Sequence, residues 1–108
     1  MEFQFTIIVP VYNEIESLPR LFEYLQKYLK SASLRSCVLL VDDGSSDGSA
    51  SAIEKFCLDH DDFNCLLFDK NYGKGAALKA AFDYTKTPLL GYLDADLQTH
   101  PEDFELLF

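Results

Sequence analysis

The feature that most constrains the fold of this chain is an alternation of two periodicities. Continuous apolar runs stand at "FTIIVP" (5–10), "CVLLV" (37–41), "CLLF" (65–68) and "PLLGYL" (88–93). They are short and free of charge, as strands buried on both faces are. Between them apolar residues recur at helical spacing. Leu18, Leu21, Phe22, Leu25 and Leu29 follow a helix start marked by Ser17 and Pro19, with Arg20, Glu23 and Lys27 on the opposite face. Asp47 or Ser46 is expected to cap a second helix, whose inner face is Ile53, Phe56 and Cys57. A third helix buries Ala77, Leu78, Ala81 and Phe82, and "HPEDFELLF" (100–108) is expected to begin a fourth.

Strands alternating with helices predict an α/β fold: a Rossmann-like, mostly parallel sheet with helices on both faces. No repeat, biased tract or linker divides residues 1–108, so one domain with one core is expected. In such sheets ligands bind beyond the carboxyl ends of the strands. Every polar cluster falls there: "VYNE" after the first strand, "DDGSSDG" after the second, "DKNYGKG" after the third and "DADLQ" after the fourth.

Charge limits the partners. The formal net charge is -9, with 18 acidic against 9 basic residues. Nucleic acid is excluded as a partner, because counterion release needs clustered Lys and Arg. A phosphorylated ligand then needs a positive intermediary, and a divalent metal serves. "MEFQFTIIVPVYNE" carries no basic leader, and its apolar run is too short for a signal peptide or a membrane span. Cys37, Cys57 and Cys65 sit in apolar runs, odd in number, and are expected as buried free thiols in a reducing cytosol.

A dinucleotide fold needs G-x-G-x-x-G after its first strand, where this chain has Val11-Tyr12-Asn13-Glu14. "YGKGAA" lacks the hydroxyl that a P-loop offers to magnesium. Asp43, Ser45, Asp47, Gly48 and Glu54 match the calcium-loop pattern of an EF-hand, but that loop needs a helix on both sides, and Val38–Val41 is a strand. A tight turn with Ser and Asp capping a helix accounts for everything after Asp43. Asp42 is left over: it comes straight off a buried strand and is expected at the ligand edge, accepting hydrogen bonds from a ribose or base. Asp43 is expected to fix the turn before Gly44.

Asp94 and Asp96 flank Ala95 at the mouth of the fourth strand. Two carboxylates that close repel each other unless they share a cation. Hard oxygen ligands at this spacing suit Mg²⁺ or Mn²⁺, which keeps waters and also takes phosphate oxygens. Gln98 adds a neutral carbonyl oxygen, His100 is a weaker candidate, and Lys74 adds a positive charge near the phosphates.

In this order, "VPVYNE", "VDDGSSDGS", "NYGKGAA" and "LDADLQTHPEDF" resemble the N-terminal half of family 2 glycosyltransferases, which have the GT-A fold. "DADLQ" with "GKGAA" upstream is most similar to the polyprenyl-phosphate (dolichol-phosphate) sugar transferase branch. The resemblance covers essentially the whole chain. It implies a nucleotide-diphospho-sugar donor, with Pro10, Tyr12 and Glu14 lining the base and ribose pocket and Asp42 contacting the base. By the same likeness Asp94, Ala95 and Asp96 face the diphosphate, and Asp96 and Gln98, with Asp94, hold Mn²⁺ or Mg²⁺. It also implies inverting transfer, with a lipid-phosphate acceptor, at the cytoplasmic face of a membrane and within cell-envelope glycan synthesis. The family's domain runs longer, so residues 1–108 are expected to be its donor-binding part, with the acceptor site and catalytic base elsewhere. Phe104, Leu107 and Phe108, left uncovered, would then favour self-association.

Three other classes compete. A haloacid-dehalogenase-like phosphatase also uses D-x-D after a strand, but its motif lies on the first strand with Thr where Gln98 stands. A response-regulator module places its paired acids at the first strand and its phosphoacceptor at the third. The third alternative is a non-catalytic nucleotide-binding fragment.

Overall fold

The computed structural model describes residues 2–95 and, as backbone alone, the strand at 105–107. Four parallel strands alternate with three helices: β1 (Phe5–Val11), α1 (Leu18–Ser31), β2 (Ser36–Asp42), α2 (Ser49–Leu58), β3 (Phe63–Leu67), α3 (Lys74–Tyr84) and β4 (Leu89–Tyr92). A short β5 (Glu105–Leu107) completes a sheet of order β3-β2-β1-β4-β5. The order reverses between β1 and β4, which puts a switch point at the carboxyl end of β1.

Period-2 alternation divides the core between the two faces of the sheet. Ile7, Val9, Val11, Val38 and Leu40 pack with Leu18, Leu21 and Leu25 of α1 and Ile53 of α2. Ile8, Leu39 and Val41 turn the other way and pack on Ala77 and Ala81 of α3. Alanines at this contact let α3 lie close to the strands. Ladder pairs set Val11 beside Asp42 and Asp42 beside Leu67, so three strand ends finish level.

The expected helices and strands are all present up to residue 95, with two local differences. Phe82, expected inside, is 42% exposed, because the buried stripe of α3 is carried by the two alanines. Gly48, with φ 97°, is the residue that precedes α2, while the Asp47 carboxylate accepts from Ser49 N at 3.0 Å. The expected fourth helix is a larger departure. Glu105–Leu107 forms a strand antiparallel to β4, with Gly91 beside Leu106. The ladder groups on the outer side of β4 supply partners that local propensity does not foresee. The side chains of Phe104, Leu107 and Phe108, on which the expectation of self-association rested, lie outside the described residues. Among the described residues no helix is long and apolar enough to cross a membrane.

Candidate functional site

Three loops meet at the carboxyl edge of the sheet, and hydrogen bonds between residues far apart in sequence hold them together. After β1, Asn13 takes φ 53°, a left-handed conformation that Asn tolerates better than most residues. Its N–H donates to Ser45 Oγ at 2.8 Å, and its Oδ1 accepts from Ser46 N at 2.8 Å. Glu14 N donates to Ser49 Oγ at 3.1 Å and Ile15 N to Asp47 Oδ2 at 3.0 Å. Ser and Asp side chains of the β2–α2 turn therefore satisfy backbone donors of the β1 loop as well as their own helix.

The β2 and β3 loops are joined more tightly. Gly44 has φ 72°, and a Cβ there would run into the Lys70 carbonyl carbon and the Asn71 nitrogen. Only glycine permits this backbone contact. Beside it, Asp43 accepts from Tyr72 N (2.7 Å) on Oδ1, and from Gly73 N (2.9 Å) and Asn71 Nδ2 (3.1 Å) on Oδ2. Its own N–H donates to Val11 O at 2.8 Å, which ties the same residue to β1.

A cleft of about 280 Å³ opens where these loops meet the end of β4. Pro10, Tyr12, Glu14, Lys74, Asp94 and Ala95, all expected at the site, line it together. Tyr12 is 49% exposed and lines the cleft. Lys74 Nζ, at the first turn of α3, lies 3.1 Å from Asp94 Oδ1 and 4.5 Å from the centre of the Tyr92 ring. The Tyr92 hydroxyl also donates to Asp94 Oδ1. A larger hollow, about 770 Å³, sits at the opposite ends of β1 and β2 against Thr6, Cys37 and Thr87. No described residue of the four polar loop clusters lines it.

The two adjacent acids exchange their expected places. Asp42 is wholly buried. Its parity matches Val38 and Leu40, so its side chain faces the α1–α2 layer, with Oδ2 accepting from Ser45 N at 2.9 Å and Oδ1 without a partner among the described residues. Asp43, which shares the parity of Leu39 and Val41, lines the cleft on the α3 side. Asn71 and Gly73 also line it and were not foreseen. The usable signal was strand parity carried past the end of the apolar run: residues two apart share a face, as Leu90, Tyr92 and Asp94 do here.

Asp96 and Gln98, expected as metal ligands, and His100 lie outside the described residues. Among those described, no three His, Cys, Asp or Glu side chains group as a metal site. Asp94 suits a hard cation: it offers carboxylate oxygen, and both bonds that described residues make to it fall on Oδ1. The EF-hand pattern is a turn in fact, since Asp43, Ser45 and Asp47 spend their oxygens on backbone donors. All three cysteines are free. Burial raises each thiol pKa; for Cys57, with Cys65 adding to the effect, it is pushed up to about 12.

With this geometry the chain resembles known proteins along nearly its whole length. Residues 6–108 match the family model described as glycosyl transferase family 2. Over 103 residues the chain is 41% identical to an undecaprenyl-phosphate 4-deoxy-4-formamido-L-arabinose transferase of Salmonella choleraesuis. It is 39% identical to the enzyme of that name from Proteus mirabilis. Both matches take in 94% of this chain and 32% of the relative, so the chain spans about a third of their length. A mannosyltransferase from Pyrobaculum calidifontis, solved in complex with GDP-Man and Mn²⁺, superposes with a TM-score of 0.75 at 26% identity, over 89% of this chain and 28% of that one. TarS from S. aureus in complex with UDP-GlcNAc gives 0.72 at 25% identity, over 86% and 26%. The chain belongs to glycosyl transferase family 2, and its sheet is the Rossmann-like half of the GT-A fold.

Proposed function

We propose that residues 1–108 are the donor-binding part of an inverting glycosyltransferase that passes a sugar from a nucleoside diphosphate to a polyprenyl phosphate. One observation carries the reading: a single cleft at the switch point brings together an apolar and aromatic wall, a buried acid and a Lys–Asp pair. Pro10, Tyr12 and Glu14 would receive base and ribose. Asp43 takes the role foreseen for Asp42: it is the acid that faces the cleft, and beside the three donors it already accepts, its Oδ1, which takes only the Tyr72 N–H among the described residues, would accept an N–H of the base. Lys74 and Asp94 stand where the diphosphate would lie.

Mn²⁺ or Mg²⁺ would be held by Asp96 and Gln98 with Asp94, and it would stabilise the charge growing on the departing diphosphate. This chain's own residues hold the leaving group: Lys74 offers its ammonium to the phosphates, and Tyr12 closes over the nucleoside. The relatives are undecaprenyl-phosphate sugar transferases, which supports a lipid-phosphate acceptor, and the neighbouring structures hold GDP-Man with Mn²⁺ or UDP-GlcNAc, which supports a nucleotide-sugar donor with a metal. A lipid acceptor places the whole enzyme at the cytoplasmic face of a membrane. The phosphatase alternative has no support among the relatives, and the D-x-D motif follows the fourth strand in the chain, at the inner position of the sheet next to β1.

Thermal stabilisation by GDP, UDP and CDP, with and without Mn²⁺, tests the reading. Binding linkage predicts a rise in midpoint for one of them that needs nucleotide and metal together. Equal shifts in EDTA and in Mn²⁺ would count against a metal-bridged diphosphate.

A further inference from the structure

An exposed Lys–Asp pair seldom holds its geometry unaided. The side chains of Lys74 and Asp94 are 56% and 33% exposed, and pairs in that setting contribute little, because solvent screens them and long side chains lose entropy. Here one residue touches both partners. The Tyr92 hydroxyl donates to Asp94 Oδ1, the oxygen that Lys74 Nζ reaches at 3.1 Å. The Tyr92 ring also lies 4.5 Å from that ammonium, within cation–π range.

The placement follows from the strand. Leu90 and Asp94 share a face with Tyr92, and Leu90 packs in the core layer beneath α3. Tyr92 is the last residue of β4, paired with Ile8 on one side and with Glu105 on the other, so its backbone is fixed from both sides. A half-buried phenol with two side-chain torsions loses little freedom when it holds a carboxylate. Both donors found among the described residues fall on Asp94 Oδ1, so neither competes with a ligand for Oδ2.

We propose that Tyr92 is a positioning residue for the diphosphate end of the donor site. Its hydroxyl fixes the Asp94 carboxylate, and its ring carries the Lys74 ammonium, so that acid and base meet a metal–diphosphate group already in place. The proposal rests on the donor-site reading above. It concerns a residue that touches neither sugar nor base, and it acts through Asp94 and Lys74.

Calorimetry on wild type, Tyr92→Phe and Tyr92→Leu, with GDP and UDP as probes in Mn²⁺ and the matching nucleosides as controls, tests it. Tyr92→Phe keeps the ring and loses the hydroxyl. It should weaken the bound diphosphate about tenfold or more, the size of one hydrogen bond to a charged group, and leave nucleoside affinity unchanged. Tyr92→Leu should lose more, and Lys74→Met should add little in that background although it is costly alone. In the metal-free protein, the Lys74 methylene resonances should carry a ring-current shift that Tyr92→Leu abolishes and Tyr92→Phe retains. If Tyr92→Leu does not fold, the Tyr92→Phe affinities decide. Wild-type diphosphate affinity in Tyr92→Phe, or an equal loss for nucleoside and diphosphate, overturns the proposal and leaves the donor site standing. Wild type that binds neither diphosphate more tightly with Mn²⁺ overturns both.

Discussion

The two halves of the cleft are built differently. On the β1–β2 side, backbone donors of Asn13, Glu14, Ile15, Tyr72 and Gly73 end on side-chain oxygens of Ser45, Ser49, Asp47 and Asp43. On the β4–α3 side, the contacts are side chain to side chain, among Lys74, Asp94 and Tyr92, and are part-exposed. The first kind fixes the path of the chain. The second leaves a cation and an anion that can exchange partners when a charged ligand arrives. The difference suits a site whose nucleoside end is shaped by its backbone and whose phosphate end seats an acid and a base on one tyrosine, ready to trade charges with the ligand.

The strongest way to break the rigid half is at Gly44. Ala there carries a Cβ into the backbone of Lys70 and Asn71 at a φ that L-residues avoid. Two loops must part, and the expected cost is about 2–4 kcal/mol in a urea or thermal unfolding series. Nucleoside affinity should fall with it. Gly73→Ala is the control, since it also has positive φ but its Cβ meets nothing within 4 Å. A Gly44 variant as stable as the Gly73 variant would mean that the loops are not locked together as described.

Next in size is the contrast between the neighbouring acids. Asp43→Ala strands the donors of Tyr72, Gly73 and Asn71, and about 2–3 kcal/mol of stability should be lost. Among the described residues Asp42→Ala frees Ser45 N alone and removes a buried oxygen that has no partner there, so its cost should be smaller. Asp43→Asn keeps one acceptor oxygen, which makes it the better probe of ligand contact. It should weaken a nucleoside lacking phosphates, while Asp42→Asn should not. The reverse ranking would return the ligand role to Asp42.

These comparisons also show what was readable from the chain. Continuous apolar runs and 3.6-residue spacing placed the four parallel strands and three helices, because burial on both sheet faces, and on one face of each helix, dictates those patterns locally. The exchange of Asp42 and Asp43 was not readable in the same way. The apolar run stops at Val41, but the ladder runs on to Asp42, which still pairs with Val11 and Leu67. Asp42 therefore keeps strand parity and turns into the α1–α2 layer. The loop bonds join residues about thirty positions apart, such as Asn13 to Ser46 and Asp43 to Gly73, and no local pattern encodes them. Residues 105–107 become a strand because β4 offers an edge, which is a property of the assembled sheet.

The smallest expected effect separates the halves by pH. Asp47 is exposed, yet its carboxylate accepts from Ser49 Oγ at 2.6 Å and also from the backbone of Ser49 and Ile15. The Ser49 hydroxyl above all, with those N–H donors, holds its pKa below the ordinary carboxylate value. A carboxylate whose folded pKa is depressed adds stability above its unfolded pKa, near 3.9 for Asp, and loses it as pH falls through the folded value. The margin of wild type over Asp47→Asn should therefore be full at pH 7 and shrink below about pH 4. Wild type should show no matching acid-dependent margin over Lys74→Met, because the exposed phosphate-side pair adds little to folding stability. Urea midpoints of the three proteins at pH 7 and pH 3 give the comparison. A margin for Asp47→Asn that is the same at both pH values would mean that the oxygen's position, rather than its charge, joins the β1 loop to the β2 turn.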